Sequence, residues 1–170
     1  WDTSAILISC LLPGRQAGEI SLRVIGEEGF LRGKKWPQKA QDAQNMKIQN
    51  ELKSICDQVR ETAYTLHAFL RHGHLEKVYE NGLAHRLRMA GLKVEQQKPL
   101  QVTDEDGTIL GDYFVDLWVE DGLIVEIKAC KKLAGEHIAQ VLGYLRASNQ
   151  RHALLINFGA PKFEIKKLIL

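Results

Sequence analysis

The chain is poor in cysteine. Cys10, Cys56 and Cys130 are widely separated and form no CxxC pair, so neither a zinc knuckle nor a cysteine-ligated cluster has its usual spacing. No Fe–S cluster is expected, and the thiols read as free in a reducing cytoplasm. Long apolar runs are scarce too. AILISCLL near the start falls well short of the roughly 20 apolar residues that span a bilayer, and no basic segment precedes it, so no membrane partner is expected. Charge of one sign is also lacking: the formal net charge is +2. Any nucleic acid would therefore have to be met by basic residues gathered locally, not by a general field. With 45% hydrophobic and 26% charged residues and only four prolines, the composition is that of a globular chain and not a disordered one. Its 170 residues suffice for one ordinary domain with room for an extension.

The first 45 residues show no sustained period of 3.6 or 2 and carry scattered glycines in PGRQAG, IGEEGF and RGKKWP. They read as a peripheral arm, or as upstream sequence outside the functional domain, which is expected over residues 46–170. From Met46, the positions Ile48, Leu52, Ile55, Val59, Ala63, Leu66 and Leu70 recur at helical spacing and predict one long amphipathic helix. After Gly73 a second helix is expected, with Leu75, Val78, Tyr79, Leu83 and Leu87 on one side and Gly91 as its C-terminal stop. LKVEQQ and LQVTDEDGTIL alternate as strands, with Pro99 forcing an edge or a bulge and DEDG making a turn. A third helix over AGEHIAQVLGYLRAS leads to HALLINFG, a run suited to a strand buried on both faces, and FEIKKLIL suits a last edge strand. Two helices, a strand meander, a crossover helix and further strands imply an α/β or α+β domain with a mixed central sheet flanked by helices.

The hairpin GDYFVDLWVEDGLIVEIKA, residues 111–129, sets Asp116, Glu126 and Lys128 among apolar neighbours, where an uncompensated charge costs several kcal/mol. A two-residue turn at Asp121 and Gly122 would place Leu117 opposite Glu126 and send Asp116 to the other face. A three-residue loop of Glu120, Asp121 and Gly122, with Gly122 left-handed in a G1 bulge, pairs Val119 with Leu123 and Asp116 with Glu126. That register puts Val115, Leu117, Val119, Leu123, Val125 and Ile127 on one face, and Asp116, Glu126 and Lys128 on the other beside Phe114 and Trp118. Opposed carboxylates repel unless something neutralises them. A divalent cation would do so, held by the two acids, waters and a backbone carbonyl such as that of Ile127; such oxygen ligation suits magnesium. A salt bridge from Lys128 to one acid would also account for the trio.

Gly73, Glu76 and Tyr79 fit a GxxExxY pattern, followed in order by Asp116, Glu126-x-Lys128 and His137-x-x-Gln140-x-x-x-Tyr144. Over about Met46 to Phe158 the chain resembles the GxxExxY proteins, a branch of the PD-(D/E)XK nuclease superfamily. The resemblance implies a restriction-endonuclease-like fold and cleavage of nucleic acid, expected to be DNA, by a deoxyribonuclease using Mg2+ or Mn2+. Asp116 and Glu126 are then metal ligands and Lys128 the catalytic lysine. Glu76 would be a further acid at the metal or its water, and Gln140 and Tyr144 would match the QxxxY element of RecB-like nucleases that contacts DNA or steadies the site. A nuclease-fold module that binds nucleic acid or a protein without cutting is the competing expectation. On helical spacing His137, Gln140 and Tyr144 share a polar face, and His72 and His74 read as surface histidines. Arg86, Arg88, Lys93, Lys98, Lys131, Lys132, Arg146 and Arg151 are candidates to line a DNA path. Oligomeric state is left open.

Overall fold

A computed structural model describes residues 38–120 and 122–170. The elements run α1 (Gln38–Leu70), α2 (Glu76–Met89), β1 (Val94–Thr103), β2 (Ile109–Val119), β3 (Leu123–Lys128), α3 (Gly135–Ser148), β4 (His152–Asn157) and β5 (Glu164–Ile169). The chain divides into units Trp1–Ile48 and Gln49–Leu170, and the sheet lies in the second. Most of the arm expected over residues 1–45 falls outside the described residues, as does Cys10. The first helix begins at Gln38, upstream of the start expected at Met46.

The five strands form one sheet in the order β1-β2-β3-β4-β5. All neighbours are antiparallel except β3 and β4, which are parallel and joined through α3. This is the mixed sheet expected from the strand–helix–strand order. Cys56, Val59, Ala63 and Leu66 of α1 and Tyr79, Leu83, Ala84 and Leu87 of α2 pack with Leu117, Val119, Leu123, Val125, Ile127, Leu154 and Ile156 on one face. Val141, Tyr144 and Leu145 of α3 pack with Val115, Trp118, Ile124, Ala153 and Leu155 on the other. β3 and β4 are thus covered on both sides, which explains their largely apolar sequences, Glu126 and Lys128 of β3 being exceptions.

Helix phases differ from the expected stripes in detail. In α1 the apolar face starts at Leu52, with Ile48 exposed. In α2 Leu75 and Val78 point outward, and Glu80 lies in the buried stripe beside Tyr79, Leu83 and Leu87. Gly91, at φ 88, terminates α2 as expected, with Leu92 N–H donating to the Leu87 carbonyl across the cap.

The hairpin register Val119↔Leu123, Trp118↔Ile124 and Leu117↔Val125 is the one that a three-residue loop predicts. The left-handed residue described in that loop is Glu120 (φ 50), where Gly122 was expected. Asp121 lies outside the described residues. Glu120 is held there by its N–H to the Lys93 carbonyl (2.9 Å) and by its carboxylate, which accepts the Lys93 N–H (2.9 Å).

The sorting of faces departs from strict alternation at one point. Val115 packs on the α3 side, while Leu117 and Val119 pack on the α1/α2 side. Opposite this step β1 changes face as well: Val94 packs on the α1/α2 side and Leu100 on the α3 side. Between them Gln97 has φ 52. The pairs Gln96↔Leu117 and Lys98↔Val115 flank it, so the same register places Gln97 across from Asp116. The left-handed residue in β1, across from Asp116, marks the point at which the outer half of the β1–β2 hairpin turns over.

Candidate active site

Asp116 sits where the β2–β3 ladder stops. The last pair is Leu117↔Val125, and the next step of the register would set Asp116 against Glu126. Instead of extending the ladder, the Asp116 side chain accepts the Ile127 N–H on Oδ2 (2.8 Å) and Gln97 Nε2–H on Oδ1 (3.1 Å). Burial raises its pKa, the Glu80 charge adds to this, and the two donated hydrogen bonds and Lys128 oppose it.

Glu126 lies one position before Ile127 on the doubly covered strand and is only 2% exposed. Its Oε1 accepts from Lys128 Nζ at 2.8 Å, so the expected ion pair is present. It satisfies only half of the carboxylate, because Oε2 is buried with no hydrogen-bond partner. Burial, then the Asp116 charge, push the Glu126 pKa up to about 7 against the pull of Lys128. Burial works to lower the Lys128 pKa, but Glu126, Glu76 and Asp116 outweigh it and the net shift is upward. This lysine stays charged at neutral pH.

Glu76 opens α2, and its Oε2 accepts the Ala129 N–H at 2.9 Å, which brings it to the end of β3. The α2 helix is placed by Tyr79, whose ring stacks on Phe158 (4.7 Å, 12°) and whose hydroxyl donates to the Arg71 carbonyl (2.8 Å). The β4 end is tied in by buried Asn157. Its Oδ1 accepts from the N–H groups of Cys130 (3.1 Å) and Gly159 (3.0 Å). A Cβ on Gly159 would collide with the backbone of Ala129 and Cys130, so only glycine lets the two chains pass this closely.

On α3, Gln140 donates to the Tyr144 hydroxyl at 2.6 Å. Tyr144 is not on a polar face as the spacing suggested: it is 5% exposed and packed in the α3-side core, with its ring against Tyr113. Burial and then the Glu126 charge raise its pKa, so its hydroxyl remains protonated and feels the acid site. His137 is likewise structural, its Nδ1 accepting the Ala134 N–H at the start of α3 (3.1 Å).

Of the basic residues considered for a nucleic-acid path, Arg88 is committed to the Val94 carbonyl and Gln96, Arg86 lies over Phe69, and Lys98 lies over Trp118. His72 and His74 are exposed. Among the described residues no group of three or more His, Cys, Asp or Glu is placed to hold a metal ion.

Two residues that the sequence did not single out belong to this constellation. Glu80 is 3% exposed and accepts from Lys77 Nζ (2.7 and 2.9 Å), Gln96 Nε2 (2.8 Å) and Gln97 Nε2 (2.9 Å). Its signal was present, an acid four residues after Glu76 inside the Tyr79–Leu83–Leu87 stripe. Gln97 gave none, since its left-handed backbone is uncommon for glutamine.

A sequence model of the PD-(D/E)XK nuclease superfamily matches residues 53–168 of the chain. The chain belongs to this superfamily. Members of the PD-(D/E)XK superfamily are in general hydrolytic nucleases that use divalent metal ions. No curated protein matches. Among solved structures, the protein SSO0001 is 16% identical with a TM-score of 0.44, over 55% of this chain and 48% of its own; the present chain thus spans less than half of that protein's length. For a PD-(D/E)XK chain the donor set fits a divalent ion. A buried, unpartnered carboxylate oxygen stands beside a second carboxylate whose charge repels it, and a hard cation satisfies both. Among the described residues no helix is long and apolar enough to cross a membrane.

Proposed function

We propose that this PD-(D/E)XK chain is a divalent-metal-dependent deoxyribonuclease of the GxxExxY branch, with Asp116, Glu126 and the backbone carbonyl of Ile127 holding Mg2+, or Mn2+ in its place. The observation that carries this reading is Glu126 Oε2, a buried acceptor left without a donor next to Asp116. When bound, such an ion polarises a phosphoryl oxygen and makes its water more acidic.

The chain's own groups divide the remaining work. Lys128, fixed at 2.8 Å by Glu126, presents a permanent positive charge to the scissile phosphate and stabilises charge that grows there. In the metal-free chain the carboxylates around it raise its pKa and keep it protonated. Glu76 uses Oε2 on the Ala129 N–H, which leaves Oε1 to orient the attacking water. Gln140, exposed on α3 and held by the buried Tyr144 hydroxyl, steadies the nucleic-acid backbone at the mouth of the site.

A panel of linear, circular and single-stranded DNA, and of RNA, with and without Mg2+ or Mn2+, tests the reading. The native chain cuts DNA only with metal. Asp116→Ala and Glu126→Ala abolish cutting and weaken metal binding, because each removes a ligand. Lys128→Ala loses turnover while metal affinity is unchanged or higher, one repelling cation having gone. A native chain that binds DNA yet cuts no substrate would overturn the enzyme and favour the binding module.

A further inference from the structure

Gln97 and Asp116 face each other at the point where both strands change face. Gln97 holds a left-handed backbone (φ 52) in a ten-residue strand, and its own side chain is exposed and is not fixed by core packing. Its carboxamide nitrogen bridges two acids, donating to Asp116 Oδ1 (3.1 Å) and Glu80 Oε2 (2.9 Å). An amide nitrogen carries two hydrogens, and both are used. Glu80 also decides which end of the amide turns inward. A carboxylate only accepts, so it selects the NH2 end and repels the carbonyl end; the second hydrogen is then left for Asp116. Lys77 grips both Glu80 oxygens, and Gln96 adds a further donor, which fixes Glu80 in turn. With the Ile127 N–H on Oδ2, each oxygen of Asp116 has one donor and the plane of the carboxylate is set.

We propose that Glu80 and Gln97 are positioning residues: the Lys77–Glu80–Gln97 chain holds the Asp116 carboxylate in the orientation that binds the metal ion. This rests on the reading of Asp116 as a metal ligand. Residues that orient a ligand from behind ordinarily change metal affinity or activity by about 10- to 100-fold when removed. Gln97→Ala takes away one donor to Asp116 without opening the core, since Gln97 is exposed. Glu80→Gln acts from further away. Its amide can donate to the Gln97 carbonyl oxygen, which frees Gln97 to flip and to present an acceptor end to Asp116.

The test is Mn2+ binding by isothermal calorimetry to the full chain and to both variants, with thermal melts alongside, followed by kcat and KM on DNA. The expected result is a Kd for Mn2+ raised about 10-fold or more in each variant, with the drop in activity carried by kcat and KM for DNA unchanged. A purely structural role would lower the melting temperature and leave the Mn2+ Kd of the folded protein as it was; that result overturns the inference while the metal site stands. A native chain that takes up no Mn2+ overturns the metal reading and this inference with it. Should Glu80→Gln fail to fold, Gln97→Ala alone decides.

Discussion

The ionisation of Glu126 is the most direct handle on the site when it is free of metal. Its pKa rises from an ordinary 4.5 to about 7 in the folded chain. A carboxyl whose folded pKa lies above its unfolded value binds protons more tightly when folded. Its contribution to stability is therefore present at acid pH and is lost as pH climbs from the unfolded pKa to the folded one. At about 1.4 kcal/mol per unit, the shift is worth about 3 kcal/mol, fully lost above neutral pH. Glu126→Gln keeps the shape and cannot ionise. Urea melts in EDTA from about pH 4.5 to pH 8 should show the variant gaining about 3 kcal/mol on the native chain across that range, chiefly below pH 7. Taking the difference cancels titrations elsewhere, such as that of His152, whose pKa is lowered by burial. Asp116 acts in the same direction, since its own raised pKa owes most to burial. Mn2+ at about 100 times its Kd should return about 2.7 kcal/mol to the native chain and much less to the variant. A stability difference that does not change with pH would refute the argument that burial and Asp116 strain this carboxylate.

Two further outcomes follow from the packing. Gly159→Ala should destabilise by about 3 kcal/mol or more, because the methyl group meets backbone at Ala129 and Cys130 and not a side chain that can swing aside; chemical melts measure it, and a loss under about 1 kcal/mol would show that the crossing relaxes. A chain cut to Met46–Leu170 should melt at nearly the full-length temperature, since among the described residues the first to pack against the core is Leu52; a broadened, non-cooperative melt would place the first 45 residues in the core.

Much of the architecture could be read in the sequence, because it rests on burial patterns. The runs LIVEIK and HALLIN carry apolar residues on both faces, Glu126 and Lys128 apart, since helices cover both faces of β3 and β4. The helix between them implied the parallel pair. The spacing from Val119 to Leu123 correctly selected the register of the hairpin. What could not be read turns on backbone states and on helix phase. Nothing in the string EQQK around Gln97 announces φ 52, so Val115 was assigned to the wrong face. Tyr144 was assigned to a polar stripe because it shares helical spacing with His137 and Gln140, although a large ring gains more from the core than its hydroxyl loses. Glu80 was passed over because hydropathy sorts acids to the surface; here three neighbouring side chains supply the donors that let it be buried.

The reversal of faces at Gln97 and Asp116 also bears on how this protein could be re-engineered. Side chains before and after that step obey opposite parity, so a hairpin tip transplanted from an ordinary two-stranded ribbon would arrive inside out. It would offer its polar residues to Leu145 and its apolar ones to water. A graft that begins outward of Lys98 and Val115 keeps the reversal in the host, and the borrowed tip then needs only to match the α3 side.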